Sequence, residues 1–229
     1  MTQSKTADES KQEYVQLMGE SLGKVFHALW QEVAWLYTKW GEYVALYGTK
    51  PGRIELMNSS APRFFRIVQD SLWEETLMHI ARLTDPPKTA GKENLSIQRI
   101  LVEEPDESLK KALEEKIEIA KNKSEFCRDW RNRRIAHLDL QLAIEDGINP
   151  LLPASREAVK EALGAIVDVL NIVTLHYKDS TTIFDVPNGY GGGESLLYVI
   201  DDGLKMDKER EARIQSGNFK DSDFEPRDI

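Results

Sequence analysis

The sequence predicts an all-α protein: an antiparallel helical bundle of four main helices with short accessory helices. Three observations predict it. Apolar residues recur every three or four positions along four long stretches. Helix start and stop signals bound those stretches. Each stretch is apolar on one face only, so none is stable alone and the four must share a core.

The first stretch covers residues 9–47. Val15, Met18, Leu22, Phe26, Leu29, Val33, Leu36, Trp40 and Tyr43 make its stripe, and Gly19, Gly23 and Gly41 invite a bend. Tyr47–Arg53, with two glycines and a proline, ends it. The second helix is expected over 60–83, with Ser60 as N-cap and Pro62 in the first turn. Phe64, Ile67, Val68, Leu72, Leu77, Ile80 and Leu83 form its buried face, and Asp85-Pro86-Pro87 stops it. A polar linker, KTAGKEN, and a short helix over 96–104 follow. The third long helix starts near Pro105-Asp106 and carries Leu109, Leu113, Ile117, Ala120, Cys127 and Trp130. Residues 131–146 either continue it or form a new helix after a break, and Gly147 and Pro150 close the region. Ser155 caps the fourth helix, 155–178, whose stripe is Val159, Leu163, Ile166, Leu170, Val173 and Tyr177. A turn-rich stretch over 185–193 leads to one short helix, 194–204. The expected organisation is a mobile N-terminus (1–8), the bundle (9–205) and an acidic, mobile tail (206–229).

Composition narrows the function. The chain carries 30 Lys and Arg against 39 Asp and Glu, a net charge of −9. Phosphate repulsion excludes a general nucleic-acid coat, so any contact with nucleic acid needs a local basic patch. Cys127 is the single cysteine, which excludes an internal disulfide and a cluster of thiolate ligands. No secretory pattern opens the sequence, and no run of about 18 apolar residues occurs. A soluble, cytoplasmic protein without membrane contact is expected.

One island departs from the acidic background. Residues 121–134 hold Lys121, Lys123, Arg128, Arg131, Arg133 and Arg134 against Glu125 and Asp129. The cations concentrate there, so an anionic ligand is expected there and not elsewhere. The run Arg131-Asn132-Arg133-Arg134-Ile135-Ala136-His137 joins permanent cations, an amide and a group that titrates near neutrality. Metal-independent RNA cleavage needs those groups. A base takes the proton of the ribose 2′-hydroxyl, the oxygen attacks phosphorus, and a cation stabilises the added negative charge. An Arg–His spacing of this kind is expected by chance roughly 0.7 times in such a chain; Asn directly after the Arg lowers that to roughly 0.02.

The string RNRRIAHLD resembles the Arg-Asn…His motif of HEPN domains, in the branch of bacterial abortive-infection (phage-defence) proteins of the AbiU type. HIARLTDPP (79–87) and GGGESLLYVIDDGL (191–204) resemble the same branch, and the likeness runs from about residue 10 to 205. The resemblance implies a helical bundle that dimerises with the motif helices facing each other. In active members it implies metal-independent endoribonuclease activity, with no cofactor. On the matching positions, Arg131 contacts the phosphate, Asn132 gives polar support and His137 is the acid/base. Arg128, Arg133 and Arg134 are the further phosphate-binding candidates. Some HEPN relatives are inactive or partner nucleotidyltransferases. The alternative is therefore a catalytically silent helical dimer that binds a nucleotide or a protein, an antitoxin or nucleotidyltransferase among them.

Helical geometry leaves a choice open. On a continuous α-helix, positions six apart lie about 120° around the axis, so Arg131 and His137 do not share a face, whereas Arg133 and His137 do. Either the helix breaks between Arg131 and His137, or the cooperating Arg and His come from two subunits, or Arg133 is the phosphate ligand. The bland reading of 131–137 is a solvated basic face paired with Asp129, Asp139 and other acids. His27, His79 and His176 are read as packing or surface residues, Cys127 as a small buried hydrophobe, and the tryptophans at 30, 35, 40, 73 and 130 as core. Glu75 and His79 lie four apart, but no second ligand group supports a metal. The glycines at 189 and 191–193 match no nucleotide fingerprint and are read as a turn. Arg82 and Asp85 either end their helix or line the motif's cleft.

Overall fold

The computed structural model describes residues 5–144, 150–186 and 191–225. Helices α1 (Ala7–Met18), α2 (Glu20–Tyr47), α3 (Pro51–Ser60), α4 (Pro62–Leu83), α5 (Ile97–Glu103), α6 (Glu107–Lys123), α7 (Glu125–Trp130), α8 (Leu140–Ile144), α9 (Arg156–Lys178) and α10 (Gly193–Gln215) make the chain all-α. A two-strand hairpin, β1 (Lys88–Thr89) with β2 (Lys92–Glu93), is the one sheet among the described residues. Among those residues no helix is long and apolar enough to cross a membrane. The chain divides into two compact units. One holds residues 1–40 and 72–186, the other residues 41–71 and 187–229.

In the first unit the helices run antiparallel. Along α6 and α9, Lys123 meets Glu161, Lys116 meets Asp168 and Asp106 meets His176, so one sequence rises as the other falls. Glu32 with His79 and Lys39 with Glu75 give the same sense for α2 and α4. The predicted stripe of α9 is the buried one: Val159, Leu163, Ile166, Leu170 and Val173 are at most 1% exposed. Each such side chain contributes roughly 2 kcal/mol by leaving water. Ser155 caps α9 as expected, its Oγ accepting from the Ala158 N–H.

The first stretch bends at one of its three glycines. Gly19 sits at φ +83° between α1 and α2, while α2 runs unbroken through Gly23 and Gly41. Gly23 serves a different need. A Cβ there would lie 2.6 Å from the Tyr14 carbonyl oxygen and the Val15 Cα, so only glycine lets the two helices cross this closely. The expected polar linker KTAGKEN is the hairpin, turned by Ala90 (φ 49°) and Gly91 (φ 83°). The expected third helix is interrupted at Ser124, which ends α6 and precedes α7.

The second unit gathers Leu46, Met57, Phe65 and Leu197, with Tyr47, Ile54, Val68 and Ile200 packed around them. Its helix α3 lies where the sequence suggested only a terminator and a cap. Pro51 at the first helical position starts α3, and Ser60 ends it rather than capping α4. The expected buried face of α4 is corrected accordingly. Phe65 enters the cluster at 4% exposure, so Phe64 and Ile67, on the other side of the helix, face solvent. α10 continues to Gln215 rather than Leu204, and Arg213 in its last turn pairs with Asp223 beyond it. The expected helix end at 204 and the tail boundary at 205/206 therefore fall inside a helix. Gly147 and Gly189, assigned to turns above, lie outside the described residues, as do residues 1–4 and 226–229 of the two termini.

Candidate active site

The motif begins where regular α geometry stops. α7 ends at Trp130, and Arg131–Ile135 wind as one π turn, the Ala136 N–H reaching the Arg131 carbonyl at 2.8 Å, five residues back. The chain then bends at Ala136 and His137, the Asp139 N–H returns to the Arg133 carbonyl (2.9 Å), and α8 starts under an Asp139 carboxylate that accepts from Gln141 and Leu142. Isolated π turns inside helices are rare and gather at functional sites. The helix is broken between Arg131 and His137, so the 120° separation of a continuous α-helix does not apply.

Three contacts hold this turn to the segment after it. The Asp129 carboxylate accepts from the Leu152 N–H (2.8 Å), the Trp130 indole donates to the Leu152 carbonyl (2.9 Å), and Arg133 donates to the Pro150 carbonyl (3.3 Å). Arg133 also faces Asp129 (3.4 Å) and Asp139 (3.8 Å). Its guanidinium is thus part of the scaffold.

Arg131 is engaged from a different direction. Its Nη1 donates to both oxygens of Asp85, at 2.8 and 2.7 Å, and its Nε donates to Asn132 Oδ1 at 3.1 Å. Nη2 has no partner among the described residues. Asp85 follows the C-terminus of α4, so the stretch HIARLTDPP and the motif meet in space. Arg128, one turn before Arg131, points at the same helix end, its Nη2 lying 3.3 Å from the Thr84 carbonyl and 3.5 Å from the Thr84 hydroxyl. A cation at the carbonyl end of a helix is favourably placed. Arg134 is exposed, lies over the Trp130 ring at 5.9 Å and has no acidic partner among the described residues.

His137 is exposed and makes no hydrogen bond or ion pair among the described residues. The structure therefore brings Arg131, Asn132 and Asp85 together, and it leaves His137 beside them in sequence without a direct contact. Leu138, Leu140 and Ile144, just after it, are 66%, 70% and 58% exposed. Of the two readings of Asp85 left open by the sequence, the structure places it against the motif, in direct contact with Arg131.

The model of the AbiU2 family of HEPN domains matches residues 19–190, three quarters of the chain. The chain belongs to that family. The match covers the motif, the 79–87 string and both helices that carry them, but it ends before 191–204, where the likeness had also been noted. Neither curated proteins nor solved structures provide a match.

In this HEPN domain the other expected residues divide as follows. Cys127 is fully buried, and burial pushes its thiol well above the ordinary range, as suits a packed hydrophobe. Trp40 is in the core, but Trp35 is 60% exposed, which corrects its assignment to the core. Among the described residues no group of three or more His, Cys, Asp or Glu could hold a metal ion. Glu75 and His79 do meet, through Lys39. The Lys39 ammonium lies 2.7 Å from Glu75 and donates to His79 Nδ1 at 3.1 Å. His79 is 1% exposed, and its Nε2 lies 2.8 Å from Glu32 Oε2 without a hydrogen bond aligned to it. Burial first, then Lys39 and Arg82, push the imidazole down to about 4, against the opposite pull of Glu32 and Glu75. This histidine is neutral at pH 7.

Proposed function

We propose that this chain is a homodimeric, metal-independent endoribonuclease that acts in phage defence or a toxin–antitoxin-like system. His137 serves as acid/base, Arg131 stabilises charge on the scissile phosphate, and Asn132 supports Arg131. The observation that carries this reading is the π turn. It interrupts the helix within the Arg-Asn…His motif of a HEPN family member; among the described residues His137 is exposed without a hydrogen-bond or ion-pair partner and Arg131 Nη2 is uncommitted. An exposed imidazole is accessible to a substrate, as acid–base catalysis requires. Between the two arginines, Arg131 is the better phosphate ligand, since Arg133 is spent on Asp129, Asp139 and Pro150. Arg134, without an acidic partner among the described residues, takes the electrostatic part of RNA binding, and Arg128 chiefly holds the helix end.

The alternative, a silent helical dimer that binds a nucleotide, an antitoxin or a nucleotidyltransferase, is favoured by one observation: Arg131 already carries a carboxylate, Asp85. Incubating the purified protein with total cellular RNA in EDTA separates the two. Cleavage by the wild type that disappears in His137→Ala supports the nuclease. RNA left equally intact by both, under conditions where relatives cut, supports the silent module.

A further inference from the structure

We infer that Asp85 is a positioning residue for Arg131. It fixes the guanidinium so that Nη2 alone faces the phosphate. The inference rests on the nuclease reading for its catalytic consequence but not for its geometry. A guanidinium has three nitrogens in one plane, and two of them are already spoken for. Both Asp85 oxygens lie within 2.8 Å of Nη1, and Asn132 takes Nε at 3.1 Å. Two fixed points in the plane define its orientation, and the one nitrogen left over carries two donors.

Asp85 itself cannot drift. Its N–H is tied to the Arg82 carbonyl (3.3 Å), the residue before it accepts from Gln98 (2.9 Å), and the two prolines after it are anchored by Asn94, whose side chain donates to the Pro86 carbonyl (2.8 Å) and whose N–H donates to that of Pro87 (2.9 Å). The β1–β2 hairpin, turned at Ala90-Gly91, brings Asn94 back to do this. A carboxylate on so rigid a mount holds its partner within the few tenths of an ångström that transition-state stabilisation demands. The same carboxylate offsets the charge of Arg131 and so weakens its pull on RNA. Positioning and affinity are therefore opposed at this residue, and one substitution separates them.

The test is Asp85→Asn, with Asp85→Glu as the conservative variant and the intact chain throughout. Binding is measured with a 2′-O-methyl oligonucleotide, which the enzyme cannot cut, and turnover with ordinary RNA. The expected result is cleavage at saturation at least 10-fold slower in Asp85→Asn, binding equal to or tighter than wild type, and partial recovery of the rate in Asp85→Glu. Loss of binding and rate together, with a lower Tm, would reduce Asp85 to a structural residue. A gain in both would make it an inhibitory latch instead. Arg131 side-chain NMR reads the geometry independently of turnover. On titration with the uncleavable oligonucleotide, the Nη2 protons should shift and the Nη1 protons should not. If the wild type cuts no RNA but this pattern holds, the nuclease reading fails and the positioning stands. If Nη1 shifts, or neither does, the positioning is wrong whatever the wild type cuts.

Discussion

Two regions of the first unit hold the same kinds of side chain and treat them in opposite ways. Between α2 and α4, Glu32, Lys39, Glu75, His79 and Arg82 form a closed set in which the imidazole is sealed. At the π turn, Asp85, Arg131 and Asn132 form a set that is left open, with Nη2 unfilled among the described residues and His137 exposed. Residue type therefore does not identify a reactive histidine. What matters is whether the protein has already supplied the partners that a ligand would otherwise supply.

The largest effect expected from breaking this contrast is at His137. His137→Ala should slow RNA cleavage by about 10²–10⁴-fold, the range of a lost general acid or base. The side chain is exposed and makes no hydrogen bond or ion pair among the described residues, so Tm should stay within about 1 °C of wild type. A melting curve beside a cleavage assay checks both halves. A variant that melts early would place His137 in the closed class.

The closed set predicts the reverse, a stability effect with a pH signature. His79 titrates at about 4 when folded and near 6.5 when unfolded, so the unfolded chain binds the proton more readily. Its neutral form contributes stability that is complete above about pH 6.5 and is lost as pH falls through about 4, up to roughly 3 kcal/mol. Urea titrations of wild type and His79→Gln should therefore converge by about 2 kcal/mol between pH 7 and pH 4.5. Parallel curves would mean that the imidazole is not held neutral by its surroundings.

Arg133 sharpens the comparison within the motif itself. If its guanidinium belongs to the scaffold, Arg133→Ala should cost about 1 kcal/mol of stability through the lost contacts to Asp129 and Pro150, which are partly solvent-screened. Cleavage should remain within a few-fold of wild type. Arg131→Ala should also lower the urea midpoint, through its lost pair with Asp85, but should differ in slowing cleavage by about 10²-fold. Equal rate losses in the two variants would return Arg133 to the phosphate.

The legibility of these regions in the sequence follows the range of the interactions. α9 was readable to within a residue because its cap, its stripe and its end are local features. The stripe of α2 was readable for the same reason. The π turn was not, since RNRRI has no composition that separates it from an α-helix. What bends it is a set of contacts to residues 150–152. The motif was legible as a string, but Asp85 lies 46 residues before Arg131 and only the folded chain shows that they touch. α3 was missed because Pro51 and Gly52 read as a stop, whereas proline is equally at home in a first turn. Phe64 and Ile67 misled because an apolar stripe does not say which neighbour comes to cover it.

The smallest expected effect separates two kinds of cation in one run. Arg134 is exposed, rests on the Trp130 ring and has no acidic partner among the described residues, whereas Arg131 is locked in its plane by Asp85 and Asn132. An unconstrained guanidinium contributes charge without geometry. It attracts the phosphate backbone of any sequence and releases a counterion on binding, so it influences affinity and its salt dependence more than the rate at saturation. Arg134→Ala should therefore weaken binding of an uncleavable oligonucleotide by a few-fold, uniformly across sequences, and reduce the slope of log K against log salt by about 0.7. The rate at saturating RNA should hardly move. A rate that falls with the slope unchanged would place Arg134 at the scissile phosphate, and the open site would then be built around two arginines rather than one.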